Sequence, residues 1–311
     1  MKKATFVIAV YNDTATLNET INNLLETVSL NDVDIIVVDD ANTLNPAEVD
    51  RAKDITIFKN PERRGVGYSL DFGIRQAKTD VVLPMGCDIR FSGDWFPRFY
   101  EVVKTHPRAI VSTVTAGLNV DRRFLQGKEN HYHGAHILFH VTTKNNNRVL
   151  PFREYLEAKW NNKLQGELVP IGVPLGAHYG INKKWFEKIS PWGHHKVWGT
   201  LEPVIALASY ANGGRCLLDL KTVTGHIFKS ASSSKPIHDL IYNKLLTAYL
   251  YLPEDMEREV FNWAKGLKYH EKAFINFENE KPKLKELRFL KDSLTEEQLR
   301  RRIKPTGIFD P

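Results

Sequence analysis

The stretch VVLPMGCDIRF, residues 81–91, contains the pattern that decides the fold of this 311-residue chain. An apolar run ends at Gly86, a single acid follows at Asp88, and the sequence then becomes basic and aromatic. A short continuous apolar run is typical of a strand that is buried on both faces of a sheet. We therefore predict a buried strand over residues 81–85, with the Asp88 carboxylate just beyond its carboxyl end.

The sequence before this stretch alternates between apolar runs of strand length and segments with helical spacing. Between the first two runs, Leu17, Ile21, Leu24, Leu25 and Val28 recur at helical spacing. This β-α-β-α order predicts an α/β fold, with a mostly parallel sheet and helices on both faces. The predicted strands are residues 5–11, 34–39, 55–58 and 81–85, and the predicted helices are residues 15–28, with Thr14 as N-cap, and 65–77.

Polar residues follow three of the four predicted strands. In open parallel sheets, ligands bind where the carboxyl ends of the strands meet. We therefore expect the binding site at this edge. The residues concerned are Tyr11, Asn12 and Asp13 at the end of the first strand, Asp39 and Asp40 at the end of the second, and Gly86, Cys87 and Asp88 at the end of the fourth.

The second half of the chain has a less regular pattern. Strands are predicted at residues 135–141 and, broken by glycines, at 172–181. Helices are predicted at residues 183–189, 202–211, 237–252 and 254–267. We expect one catalytic domain over residues 1–232, with a first half at 1–100 and a second half at 101–232. A helical, basic extension is expected at 233–311.

Composition places the chain among soluble globular proteins, with 42% hydrophobic and 26% charged residues. Two cysteines in a chain of this length favour a reducing compartment, so we expect a cytoplasmic protein. No apolar run is long enough to span a membrane. Residues 281–311 carry nine Lys or Arg against five acids, within a net charge of +6. Such a tail can contact a polyanion, or it can be a solvated helix face followed by a loose end.

Six segments of the sequence resemble a known family. VIAVYND, IIVVDDAN and VVLPMGCDIRFSGDWF resemble the nucleotide-sugar half of GT-A glycosyltransferases. The later segments LGAHYGINKKWF, WGTLEPVIALASYANGG and GHIF are most similar to polypeptide N-acetylgalactosaminyltransferases and their family-2-type bacterial and viral relatives. The resemblance covers about residues 4 to 230. It implies a GT-A fold and an enzyme that transfers a hexose from a UDP-sugar to an acceptor hydroxyl.

The resemblance also implies a metal site. In GT-A enzymes, a D-x-D or D-x-H motif at a strand end binds a divalent metal, usually Mn²⁺, which holds the donor diphosphate. Counting back from Trp95 places Gly86 and Asp88 at the two motif positions, so the first acid is missing. His226 of GHIF matches the family's metal-binding histidine, although a lone His beside Ile and Phe can also be a core residue. Asp88 and His226 suffice if diphosphate and water supply the other ligands of Mn²⁺, or of Mg²⁺.

Further site residues follow from the resemblance. Asp39 is the expected uracil reader, since a carboxylate accepts the N3–H of uracil. A turn at the strand end is the alternative role for Asp39 and Asp40. Tyr11 is expected to stack on the base, and Arg63 and Arg64 to neutralise the diphosphate. The full set of expected nucleotide-sugar contacts is Tyr11, Asn12, Asp39, Arg64, Gly65, Asp88 and Ala177.

The expected catalytic residues are Glu202, Trp198 and His195. Glu202 lies one residue beyond the family's first acid, where inverting enzymes have the general base. In retaining relatives, a nearby acid supports the oxocarbenium-like transition state. A helix-capping acid is the alternative role for Glu202. Trp198 is an expected apolar wall for the sugar, and His194 and His195 belong to a loop that closes over the substrates in relatives.

The acceptor remains open at the level of sequence. A saccharide, a protein hydroxyl and a hydroxymethylated DNA base are the candidates. The tail charge, together with Arg122, Arg123 and Lys128, favours DNA among them. A non-catalytic module that binds nucleotide-sugar or nucleic acid is the alternative from another class, because Gly86 replaces the first acid of the motif.

Overall fold

Four parallel strands form one half of a central sheet. They are β1 (Ala4–Val10), β2 (Val33–Asp39), β3 (Thr56–Lys59) and β4 (Val81–Gly86). β1 is paired with β2 on one side and β4 on the other, and β3 is paired with β2. The computed structural model describes residues 2–118, 124, 130–138, 155–175, 178–189, 192–197, 199–228, 237–267, 269–288 and 295–303. The predicted α/β class and parallel arrangement are confirmed.

Helices cover both faces of this half. They are α1 (Thr14–Thr27), α2 (Val66–Gln76) and α3 (Phe96–Thr105). Phe6 and Ile8 of β1 share a core cluster with α1, whereas Val7 shares one with α2, because successive strand residues point to opposite faces. The predicted N-cap Thr14 is wrong. Asp13 caps α1, and its carboxylate accepts a hydrogen bond from the Thr16 amide.

The other half of the sheet is mixed. Its strands are β5 (Ile89–Arg90), β6 (Ala109–Gly117), β7 (Asn130–Tyr132), β10 (Leu168–Ile171), β11 (Tyr179–Asn182) and β12 (Arg215–His226), and β8 (Ala135–Leu138) and β9 (Glu157–Trp160) form a separate pair. The main order is β10-β12-β6-β11-β4-β1-β2-β3. β11 is antiparallel to both neighbours. Of the strand predicted at 135–141, residues 139–141 lie outside the described residues.

The strand predicted over residues 172–181 is only partly right. β11 begins at Tyr179, and Val173 makes an isolated bridge to Ala135. The Tyr210 hydroxyl donates to the carbonyls of Ile171, the last residue of β10, and of Gly172, so both carbonyls have a partner where the strand ends. At Gly172, an added Cβ would lie 1.9 Å from the Ile303 carbonyl oxygen, so the glycine permits a close approach of two backbone segments.

Six helices follow in the described part of the second half. They are α4 (Lys183–Ile189), α5 (Leu201–Ala211), α6 (Ile237–Tyr251), α7 (Glu254–Lys265), α8 (His270–Leu284) and α9 (Glu296–Ile303). Residues 239–251 of α6 are all buried. Leu245 and Leu246 share one core cluster with Val204 and Ile205 of α5 and with Phe277 of α8. The helical extension is therefore continuous with the core of the sheet domain.

The basic residues of the extension are largely paired with acids. Lys281 and Lys283 bind Glu278 and Glu280 within α8, and Arg300 and Arg301 bind Glu296 and Glu297 within α9. Arg288 binds Glu257 of α7. In the described part of the chain, no helix has the length and apolar character needed to cross a membrane.

Candidate active site

The register of the parallel strands brings the predicted polar residues to one edge of the sheet. Val10 of β1 lies opposite Asp39 of β2, and Ala9 lies opposite Gly86 of β4. The three strands therefore end level with one another. The residues that follow them, including Tyr11 and Asp88, start from the same edge.

Asp88 and His226 lie side by side although 138 positions separate them in the sequence. The short strand β5 pairs with the end of β12, with Ile89 opposite His226, and the Ile227 amide donates to the Asp88 carbonyl at 3.0 Å. Asp88 Oδ1 is 3.6 Å from His226 Nε2, and the two side chains are 17% and 19% exposed. A carboxylate and an imidazole thus face one another at the surface of the strand edge.

The chemistry of this pair fits a divalent cation that brings further ligands with it. His226 Nδ1 is buried and has no hydrogen-bond partner among the described residues, so Nε2, which faces Asp88, is the nitrogen available to a cation. Within the described residues, no group of three or more His, Cys, Asp or Glu could hold a metal. Oxygen atoms from a ligand and from water would have to complete the coordination.

Gly86 leaves room for the present position of Asp88. A Cβ at position 86 would lie 2.6 Å from Asp88 Oδ1. Any residue other than glycine at 86 would therefore contact the Asp88 carboxylate and displace it. The absence of a side chain at Gly86 is part of the geometry of the pair.

The Asp39 carboxylate is engaged within its own loop. Its side chain is fully buried, and its carboxylate accepts hydrogen bonds from the Thr43 amide, the Thr43 hydroxyl and the Leu44 amide. With no exposed surface, Asp39 presents no atom to a base in this conformation. The structure therefore corresponds to the alternative, a strand-end turn, because three local donors hold this carboxylate.

Asp40 organises the adjacent loop. Its carboxylate accepts hydrogen bonds from the amides of Arg64 and Gly65, at 2.7 and 2.8 Å, and from the Asn60 side chain at 3.1 Å. Gly65 has a φ of 93°, and α2 begins at the next residue. Asp40 thus fixes the turn that leads into the N-terminus of α2.

A cavity of about 120 Å³ lies at this turn. Tyr11 is 45% exposed, and the Arg63 guanidinium lies 4.3 Å from the centre of its ring. The Arg64 guanidinium instead lies over Tyr68 and pairs with Glu62, so Arg63 is the arginine at the cavity. Asn12 is exposed with a φ of 52°, and its amide donates to Thr43. The lining residues are Ala9, Val10, Tyr11, Asp40, Arg63, Gly65, Val66 and Val197.

We expect Gly65→Ala to be strongly destabilising. The new Cβ would lie 2.4 Å from the Val197 carbonyl oxygen, and the backbone conformation is one that side chains rarely adopt. Backbone strain of this kind costs roughly 1–3 kcal/mol, and the contact with Val197 adds to it. Thermal unfolding measures the effect.

Gly93→Ala is the matched control for this prediction. Gly93 also has a positive φ, 66°, but an added Cβ would meet nothing within 4 Å. A loss of stability at Gly65 no larger than the loss at Gly93 would show that Val197 does not pack on the turn as described.

Glu202 lies in the first turn of α5 and is half-buried. Burial raises the pKa of Glu202, the charge of Glu157 raises it further, and the His226 imidazole opposes the rise. A carboxylate with a raised pKa accepts a proton more readily than an ordinary one. The position near the helix N-terminus is also compatible with the capping role.

The loop before α5 packs against α2. His195 is buried, and its Cβ lies 3.6 Å from the position that a Cβ on Gly67 would occupy. Burial lowers the pKa of the neighbouring His194, with opposing effects from Glu280 and Lys283 of α8 among the smaller causes. Trp198 and Ala177, two other predicted site residues, lie outside the described residues.

Sequence reasoning missed Glu157 and Lys244. Lys244 of α6 is fully buried, and its ammonium group donates to Glu157 at 3.0 Å and to the Tyr155 carbonyl oxygen. Glu157 is thereby held on β9 within electrostatic reach of Glu202. The available signal was a lysine inside the apolar pattern of the predicted helix 237–252, since a buried lysine requires a partner.

Comparisons with known proteins were made for the sequence and for the structure. The family model described as glycosyl transferase family 2 matches residues 5–164. GalNAc-T7, solved with UDP, GalNAc and Mn²⁺, aligns with a TM-score of 0.65 at 14% identity, over 88% of this chain and 54% of that one. Residues 1–349 of TarS from S. aureus, in complex with UDP-GlcNAc, align with a TM-score of 0.54 at 12% identity, over 90% of this chain and 79% of that one.

At these identities the structural likeness establishes a shared fold, and the chain spans about half the length of GalNAc-T7, 54%. A comparison of the sequence with curated proteins found no match. The predicted GT-A architecture, with its mostly parallel sheet, flanking helices and C-terminal helices, is confirmed.

Proposed function

The chain belongs to glycosyl transferase family 2, and we propose that it transfers a hexose from a UDP-sugar to an acceptor hydroxyl with the help of a divalent metal. The observation that carries this proposal is the pairing of Asp88 with His226 at the carboxyl edge of the sheet, 3.6 Å apart. UDP in the GalNAc-T7 structure and UDP-GlcNAc in the TarS structure support the choice of donor.

Each site residue has a proposed part in this reaction. Asp88 and His226 would hold the metal, which is Mn²⁺ in the GalNAc-T7 structure and which would neutralise the charge of the donor diphosphate when bound. Arg63, which lines the cavity, would add its positive charge to that of the metal. Tyr11 offers its exposed ring to the base. Asp40 orders the turn at Gly65, and Asp39 orders the preceding loop.

We propose Glu202 as the acid at the reacting centre. Its raised pKa suits a group that takes a proton from the acceptor hydroxyl. His226 is among the groups that act on the pKa of Glu202, which supports a place for Glu202 near the Asp88–His226 pair. We propose Trp198 as an apolar wall for the sugar, and His195 as part of a loop that closes over the substrates.

A hydroxymethylated DNA base is one proposed acceptor, based on the charge of the tail. The described basic residues of α8 and α9 are mostly paired with acids, and Arg302 binds the Tyr210 carbonyl oxygen. Because Tyr210 and Glu202 are both in α5, this contact of Arg302 lies about 12 Å along the helix from the proposed reacting centre. Arg122, Arg123 and Lys128 lie outside the described residues. The DNA proposal therefore rests on the net charge of the tail in the sequence.

A saccharide or protein hydroxyl is the second candidate acceptor. Aromatic side chains beside the Asp88–His226 pair favour it. Phe228 is 46% exposed, and the centre of its ring is 4.4 Å from that of His226. Tyr132 and Trp160 lie against Phe228, and their own ring centres are 4.6 Å apart with the rings tilted by 35°. Aromatic rings with one exposed face suit the apolar face of a sugar or an apolar peptide side chain.

A reducing compartment such as the cytoplasm remains part of the proposal. Cys87 and Cys216 are both buried, and neither forms a disulfide. Buried thiols outside disulfides are compatible with such a compartment.

The test of the proposed function is UDP release from a panel of UDP-sugars, with and without added Mn²⁺. We expect release that depends on the metal and is abolished by EDTA, because the diphosphate charge must be neutralised for UDP to leave. Mass spectrometry of saccharides, peptides and hydroxymethylated DNA incubated with the active donor then identifies the acceptor. Binding of UDP-sugar with no release and no transfer to any acceptor would favour the non-catalytic module.

A further inference from the structure

Asn243 is a buried amide in the middle of α6, outside the segment matched by the family model. Its side-chain oxygen accepts a hydrogen bond from the Lys196 amide at 2.8 Å. Its side-chain nitrogen donates to the Gly199 carbonyl oxygen at 3.2 Å and to the Lys196 carbonyl oxygen at 3.4 Å. A single side chain thus binds the loop before α5 at two points.

The two loop residues that Asn243 binds, Lys196 and Gly199, lie on either side of Val197. Val197 lines the cavity at the Gly65 turn. The Val197 backbone packs directly on Gly65, where a Cβ would be 2.5 Å from Val197 Cα. Further contacts from α6 hold the same loop. Leu240 packs on Gly199, and the Lys196 ammonium lies 5.2 Å from the centre of the Tyr242 ring. The position of this wall therefore depends on α6.

We propose that Asn243 is a positioning residue for the donor: it sets the position of Val197, and thereby the shape of the pocket that receives the nucleotide. This inference rests on the proposed function, because it takes the occupant of the cavity to be the nucleotide of a UDP-sugar. Asn243 acts through the loop and touches no reacting atom. The C-terminal helices are then part of the donor site as well as of the core.

The experiment compares Asn243→Ala and Asn243→Asp with wild type and with the control Thr247→Val. Asn243→Asp keeps the side-chain volume and the acceptor for the Lys196 amide, but loses both donors. Thr247 is equally buried in α6, and its hydroxyl donates to the Asn243 carbonyl oxygen rather than to the loop. Calorimetry with UDP and MnCl₂ measures the affinity, and hydrogen exchange measures protection of the Lys196 amide.

We expect both Asn243 variants to bind UDP about tenfold more weakly, which corresponds to about 1.4 kcal/mol, the scale of a lost hydrogen bond. Protection of the Lys196 amide should fall in Asn243→Ala, and the donor KM should rise more than kcat falls. Thr247→Val should bind UDP as wild type does, even if its melting temperature drops.

The outcomes separate this inference from the proposed function. Wild type that binds no UDP would overturn the proposed function and this inference with it. Wild-type affinity in folded Asn243 variants would overturn the inference alone. If Asn243→Ala does not fold, the isosteric Asn243→Asp decides the question by the same measurements. An equal loss of UDP affinity in Thr247→Val would also overturn the inference about Asn243, because the effect would then come from the stability of α6.

Discussion

Replacing Asp88 by Asn is expected to lower the rate of sugar transfer about 10³-fold, the upper range for losing one preorganised electrostatic group. The substitution keeps the shape of the side chain but removes the charge that faces His226 at 3.6 Å. The affinity for Mn²⁺ should fall with the rate. Steady-state kinetics over a Mn²⁺ titration measures both effects.

Two further variants define the origin of this loss. His226→Gln removes the imidazole and should also weaken the Mn²⁺ dependence. Asp94→Asn is the matched control, since Asp94 is an exposed acid six positions further along the chain. It should leave the rate unchanged. Full activity of Asp88→Asn at low Mn²⁺ would show that the metal, if used, is bound elsewhere.

Glu202→Gln is expected to reduce kcat by about 10²–10⁴-fold, the range for losing a general base. The amide is isosteric but cannot accept the proton of the acceptor hydroxyl. Because burial raises the pKa of Glu202, the carboxylate becomes protonated as the pH falls through a value above the usual carboxyl range. The kcat–pH profile of wild type should therefore have an acid limb in that range, and Glu202→Gln should lack it.

The stability of Glu202→Gln provides the control. A carboxyl group whose pKa is higher in the folded state than in the unfolded state stabilises the fold below its unfolded pKa, and this contribution is lost as the pH rises through the folded value. At neutral pH the Gln variant should therefore be at least as stable as wild type in thermal unfolding. Unchanged kcat with lower stability would assign Glu202 to helix capping alone.

The N-terminal half of the fold was predictable because its signals are local. Apolar runs of strand length alternate with helical spacing, and the register of β1 with β2 and β4 places the strand ends level. The second half depends on contacts between distant segments. The Tyr210 hydroxyl binds the carbonyls of Ile171 and Gly172 at the end of β10, and no pattern around Gly172 indicates this.

As with the fold, only part of the candidate site could be predicted from the sequence. Composition and spacing could place Asp88 at a strand end, but only the resemblance linked it to His226, because the β5–β12 pairing depends on tertiary structure. Asp39 was assigned to the base, although nearby amides and a hydroxyl take up its carboxylate. A strand-end acid followed by Thr43 carries both possibilities, and the sequence does not tell them apart.

The glycine at position 86 links the side chain at this position to the orientation of Asp88. An acid at 86 would introduce a Cβ 2.6 Å from Asp88 Oδ1. Because the contacted atom is the end of a rotatable side chain, Asp88 would yield by rotating, so the consequence falls on its alignment with His226 and not on the fold. Metal affinity, rather than the melting temperature, is the property that a second acid at 86 would change.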